Sequence, residues 1–227
     1  MRGNGFSGLH KVHEDDLGKP RLTREKAVSL PDDLEMLKKN ISNVAELLIY
    51  LDAKNYQSRG KDTHVDDGDI LWSHNNPSEL TIKLKRMNCG GAVNLAQQLL
   101  MEHYDEVGFI WNCDRGGGHI VNYIIDDSET YIMDFTQYVT ERELTVFEDS
   151  FKNYTDAIIN AAKQRGRELF IVARILTGGQ DPVIGIDIKN KRFYFPGSYQ
   201  VIPLYQADDA TLGTREINRI PSKYNTG

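Results

Sequence analysis

Cys89 stands directly before two glycines and a helix-forming run, in the stretch KRMNCGGAVNLAQQLL at residues 85 to 100. A thiol at a helix start meets unpaired backbone N–H groups and the positive end of the helix dipole, and both favour the thiolate. Gly90 and Gly91 each cost roughly 1 kcal/mol relative to Ala in a helix, so propensity does not account for them, whereas close approach of a substrate backbone does. The Cys89 amide, with a neighbouring donor, is then placed to receive the oxyanion of a tetrahedral intermediate. A thiolate also needs a base. His119 follows three glycines at the head of an expected strand, where an imidazole projects from the end of a sheet. Asp134 lies fifteen residues further on, on the next expected strand. Antiparallel pairing brings Asp134 beside His119, where it holds one ring nitrogen and turns the other to the thiol. Nucleophile, base and orienting acid thus occur in chain order.

Other residues with chemical potential have plainer readings. Trp72 is weighed as an indole donor to an oxyanion against a side chain packed under a loop, and packing is favoured. Asn88 is expected to cap the Cys89 helix in preference to donating to a substrate. His64, His74 and His103 have no partner at a telling spacing. Asp66, Asp67 and Asp69 in HVDDGD fit no EF-hand loop. His10 and His13, with Glu14, Asp15 and Asp16, read as a solvated charge cluster in preference to a metal patch. No P-loop, Rossmann fingerprint or zinc-ligand spacing is present, and no cofactor or metal is expected. Cys113, at a strand end, reads as an inert thiol; a disulfide between it and Cys89 would silence the nucleophile.

The elements that must position these side chains follow from periodicity. PDDLEMLKKNISNVAELLIYLDAKNY, residues 31 to 56, reads as one strong helix with Pro31 and two aspartates in its first turn. Residues 60 to about 80 are polar and turn-rich around a brief apolar ILW. A helix is expected from about Ala92 to Glu102, then strands at 107 to 113, 119 to 125 and 130 to 135, with a Gly-rich turn before His119. VFEDSFKNYTDAIINAAKQRG reads as a further helix, ELFIVARIL as a strand, and VIGIDI and RFYF as a hairpin. A helix feeding an antiparallel meander means α+β. The expected organisation is a flexible N-terminal arm at 1 to 30, where six Lys/Arg stand against four Asp/Glu. A single α+β catalytic domain with a strand-rich C-terminal extension follows at 31 to 206, and a polar tail at 207 to 227.

Composition narrows the class. The 227 residues are 40% hydrophobic and 26% charged, ordinary for a soluble domain. A net charge of -6 offers no general attraction to nucleic acid or anionic lipid, so neither partner is expected. The N-terminus has no apolar signal region, and no stretch approaches the roughly 18 apolar residues of a membrane span. A cytoplasmic protein is expected, with delivery to another cell by a route without a signal peptide left open; oligomeric state is not legible.

NCGGAVNLAQQLL, then GGHIVNYIID, then YIMDFTQY resembles the transglutaminase-like branch of the papain-like cysteine enzymes over about residues 85 to 138. The resemblance implies a central helix bearing the Cys packed on an antiparallel sheet, with Cys89 as nucleophile, His119 as general base and acid, and Asp134 as the residue orienting the imidazole. Two departures are HIV where the family's His is usually followed by an aromatic, and Phe135 where a proline usually follows the Asp. Arylamine N-acetyltransferases share the HIV-type strand but not the surround of the cysteine. NlpC/P60-like peptidases share the rhythm of HVGIYLG. The implied activity is a cysteine-dependent acyl-group hydrolase, a peptidase or protein deamidase, acting on a protein or peptide amide. Acyl transfer to an amine and a catalytically silent protein-binding module are the alternatives.

Overall fold

Seven strands form the main sheet of the computed structural model, which describes residues 9–11, 18–58, 65–67, 70–72, 78–114, 117–142, 144–148, 151–176, 185–187, 192–194 and 200–207. In chain order the elements are β1 (Leu9–Lys11), α1 (Arg24–Ser29), α2 (Leu34–Asn40), α3 (Val44–Ala53), β2 (Gln57–Ser58), β3 (Val65–Asp67), β4 (Ile70–Trp72), α4 (Ser78–Leu84), β5 (Arg86–Met87) and α5 (Cys89–Leu100). They continue with β6 (Glu106–Asp114), β7 (Gly117–Asp126), β8 (Glu129–Met133), α6 (Phe135–Glu141), β9 (Thr145–Glu148), α7 (Phe151–Gln164), β10 (Leu169–Leu176), β11 (Gly185–Asp187), β12 (Arg192–Tyr194) and β13 (Gln200–Gln206). The main sheet runs β1-β9-β8-β7-β6-β10-β13 with every neighbour antiparallel. The chain is α+β, as its pattern predicts.

Alternation along the strands divides the core into two layers. Ile124 and Met133 face a cluster with Leu95, Leu99 and Leu100 of α5 and with α2, α3 and α6. Val121, Tyr123 and Ile132, of the other parity, join Tyr154 and the apolar face of α7. The sheet is therefore covered by α5 and its neighbours on one side and by α7 on the other. All twelve residues of α5 are buried, whereas its apolar stripe predicts one inward face. Its polar positions carry neutral amides, and side-chain amides bridge the helix and the sheet. Gln97 Nε2 donates to the Val107 carbonyl at 3.0 Å, and Asn122 Nδ2 reaches the Val93 carbonyl of α5 at 3.2 Å.

Three expectations are corrected in detail. The helix expected over 31 to 56 is two helices. Asn43 caps α3 by accepting from the Glu46 amide at 2.9 Å, while Glu46 accepts from the Ser42 amide at 2.7 Å, a reciprocal arrangement that stops α2 and starts α3. The helix expected from Val146 begins later, at Phe151, because Val146 pairs with Met133 as part of β9. Part of the expected loose arm is regular structure: β1 pairs with β9 at the sheet edge, and α1 spans Arg24–Ser29. The tail from residue 208 lies outside the described residues. Among the described residues, no helix is long and apolar enough to cross a membrane.

Glu46 is the anchor of the segment that precedes α1. Only 2% exposed, it accepts from the amides of Arg21 at 2.7 Å, Leu22 at 3.2 Å and Ser42 at 2.7 Å, and from the Ser42 hydroxyl at 2.8 Å. Burial pushes its proton affinity up, but the donors from Ser42, Arg21 and Leu22 outweigh burial and hold the carboxyl below its usual 4.5. Its contribution is complete above pH 4.5 and is lost as pH falls through the lower folded value. We predict that Glu46→Ala lowers unfolding free energy by roughly 3 kcal/mol at neutral pH. In urea titrations the gap to wild type should close on acidification; a gap that widens in acid contradicts the assignment.

Candidate active site

Cys89 is the first helical residue of α5. Asn88 precedes it and caps the helix, its side-chain oxygen accepting from the Gly91 amide at 2.8 Å, which is the role expected of it. Cys89 is 9% exposed and is not in a disulfide, so it is present as a thiol or thiolate.

His119 lies on β7 opposite Asn112 of β6. The neighbour on the other side, β8, ends at Met133 opposite Asn122. Residues 119 to 121 thus border a gap in the sheet. Continuing the register would set Asp134 opposite Val121, diagonal to His119 and on the same face. There the chain leaves the strand, and Asp134 becomes the N-cap of α6, its Oδ1 accepting from the Gln137 amide at 3.0 Å. Its other oxygen, Oδ2, lies 2.6 Å from His119 Nε2. Asp134 was expected on a strand; it sits instead at a strand-to-helix junction as the N-cap of α6. The sequence carries a signal for this, since Asp134 with Gln137 three residues on is a capping-box pattern.

Nε2 is taken by Asp134, and Cys89 also hydrogen-bonds to the imidazole. Burial is the largest influence on His119 and lowers its proton affinity. The hydrogen bonds to Asp134 and Cys89, together with their charges, more than reverse it and push the value from 6.5 up to about 10. The side chain is nonetheless 41% exposed against 17% for Asp134. The stabilisation from these contacts is complete below pH 6.5 and is lost as pH rises through about 10.

Three contributors were missed or misread from sequence. Gly118, taken as part of a turn, belongs to β7, and a Cβ there would lie 2.6 Å from Trp111 Nε1 and 2.8 Å from the Asn112 carbonyl. Only glycine lets the buried indole pack against the strand immediately before His119. Asn112 bonds to Tyr154 of α7, whose phenol is pushed up chiefly by burial and then by the charge of Asp134. A polar residue within the apolar FIWNC is the signal for Asn112; Tyr154 has none, because only folding brings α7 to this corner.

Of the remaining candidates, only His103 has a described side chain. His103 is exposed just beyond α5. His13, His64, His74 and Asp69 lie outside the described residues. The backbones of His10, Asp66, Asp67, Trp72 and Cys113 fall on β1, β3, β4 and β6, with side chains outside the description. Among the described residues, no group of three or more His, Cys, Asp or Glu could hold a metal ion.

If Cys89 helps hold the proton on His119, removing the sulfur must release it. In ¹⁵N-detected histidine NMR, His119 of the wild type should stay an imidazolium through pH 8, and Cys89→Ala should bring its titration down towards neutral pH. An unchanged titration in the variant would show that the thiol does not touch the ring.

Comparison with family models, with curated proteins and with solved structures finds no match to this chain.

Proposed function

We propose that the protein is a cysteine-dependent acyl-group hydrolase of papain-like, transglutaminase-like design, with Cys89 as nucleophile, His119 as acid and base, and Asp134 as the orienting carboxylate. The observation that carries this reading is one imidazole shared by two partners, with Asp134 Oδ2 2.6 Å from Nε2 and the Cys89 side chain hydrogen-bonded to the same ring. Coupling is mutual, so an imidazolium that the sulfur helps to protonate favours the thiolate in return.

The chemistry follows from that pair. The Cys89 thiolate adds to the carbonyl carbon of a peptide or side-chain amide, and charge moves to the carbonyl oxygen beside the positive end of α5. As the oxyanion collapses, the C–N bond breaks and His119 gives its proton to the departing amine, leaving a thioester on Cys89. Acylation removes the sulfur's charge and its hydrogen bond from the ring. The two influences from Cys89 that raise His119 are then gone, and the imidazole becomes a usable base. It takes a proton from water, whose oxygen attacks the thioester; the acid leaves and the thiolate and imidazolium are restored. Hydrolysis is favoured over amine transfer because the His119 side chain, 41% exposed, is within reach of water.

Iodoacetamide should alkylate Cys89 rapidly near neutral pH, with peptide mapping separating it from Cys113, and His119→Ala should slow that reaction strongly. Incubation with amide, ester and thioester acyl donors should give an acyl adduct by intact mass that is absent in Cys89→Ala. Where turnover is found, His119→Ala should lower it by about 10²- to 10⁴-fold. Alkylation of Cys89 that is slow and indifferent to His119 would sink the enzyme reading and favour a protein-binding scaffold; adducts resolved faster by amines than by water would reassign it to transfer.

A further inference from the structure

The corner where α3 turns into β2, residues 52 to 58, touches both halves of the site. On one side, β2 pairs in parallel with β5, setting Gln57 opposite Arg86 and Ser58 opposite Met87, and the Gln57 amide donates to the Lys85 carbonyl at 3.0 Å. Asn88 and Cys89 follow β5 directly, so this pairing fixes where α5 begins.

On the other side, the same corner holds the far end of α6. Tyr138 Oη donates to Asp52 Oδ2 at 2.7 Å, and Arg142 Nη1 donates to Asp52 Oδ1 at 2.6 Å. Arg142 Nη2 reaches the Tyr56 carbonyl at 3.2 Å. Arg142 closes the helix in the left-handed region at φ 58°, its amide donating to the Tyr138 carbonyl at 2.7 Å. Asp134 caps the opposite end. A helix of seven residues does not hold its own direction in water, since isolated helices need about 12 residues or more to be even marginal. Its orientation comes from what grips it.

We propose that Asp52 is a positioning residue for the Cys89 chemistry: through Tyr138 and Arg142 it aims α6, and with it the Asp134 carboxylate, at a ring whose thiol partner is registered from the same corner. Both oxygens of Asp52 are used, one for each α6 residue, which suits a role in setting direction. The nucleophile and the orienting acid then share one reference point, and small shifts of the rest of the chain move them together. Displacements near 1 Å from the productive arrangement cost about 100-fold in rate, so a shared reference has value.

This inference rests on the triad reading, and the test separates the two. The rate of Cys89 alkylation by iodoacetamide is measured against pH, with peptide-resolved mass spectrometry, for wild type, Asp134→Asn, Asp52→Asn and Tyr138→Phe, alongside thermal unfolding. Losing the aim of Asp134 weakens the imidazolium and so disfavours the thiolate. Asp52→Asn should therefore raise the pH midpoint by about one unit, about tenfold less reactive thiolate at pH values below both midpoints. Tyr138→Phe should move it the same way by less. A purely structural anchor would lower the unfolding temperature and leave the midpoint of the folded protein in place, and that result overturns the proposal. If Asp52→Asn does not fold, an unmoved midpoint in Tyr138→Phe overturns it equally. If Asp134→Asn itself leaves the midpoint unmoved, the triad reading falls, and this inference with it.

Discussion

The hydrogen bond between His119 and Asp134 exists because β8 stops early. Had β8 continued past Met133, the space beside His119 would be filled by another ladder of backbone bonds, and Asp134 would stand across from Val121 with no reason to turn. The chain instead leaves the strand at Asp134, and both carboxylate oxygens are spoken for, one by the first turn of α6 and one by the imidazole. A gap in a sheet is normally a liability, since it exposes unpaired strand edge. Here it is where groups from both layers converge. Cys89 comes from the α5 layer, while His119 and Asp134 have the parity of residues that face α7.

The burial of α5 supports this arrangement from below. A helix with polar faces would drift toward solvent, but Gln97 and Asn122 spend their amides on backbone carbonyls at the helix–sheet boundary. The first turn of the helix is thereby held at a fixed height over β6 and β7. Trp111 adds a second constraint, packing so close to the strand at Gly118 that no other residue fits beside His119. On the far face, the start of α7 is tied to the sheet by Arg174, which lies 4.7 Å from the Phe151 ring and 5.0 Å from the Tyr123 ring and pairs with Glu106. Helix α7 in turn brings Tyr154 up to Asn112 and the charge of Asp134.

Electrostatics make the site directional. Burial alone would lower the proton affinity of His119. The two partners reverse that balance, and only one of them, the sulfur, changes its charge during an acyl transfer. In the proposed mechanism the ring would have one proton affinity before attack and a lower one after it, the order in which an acid and then a base are wanted. Asp134 stays constant throughout and keeps the ring in place.

Much of this molecule is legible along the chain. The α+β class, strands β6, β7 and β10, the hairpin of β11 and β12, the helix starting at Cys89 and the cap at Asn88 all follow from local periodicity and capping chemistry, which act over a few residues. Cys89, His119 and Asp134 are legible as a set because the helix and hairpin that carry them are adjacent in sequence. Other features depend on contacts between distant segments. The hold of Glu46 on the amides of Arg21 and Leu22 joins residues 25 and 24 positions apart. The total burial of α5 depends on layers whose packing no stripe of Leu can announce. The end of β8, the approach of Tyr154 and the grip of Asp52 on α6 join residues up to 90 positions apart. Residue type and spacing set what each side chain is able to do; the distance and direction at which it does so depend on long-range packing, whose energy is shared among many residues and is written in no single stretch.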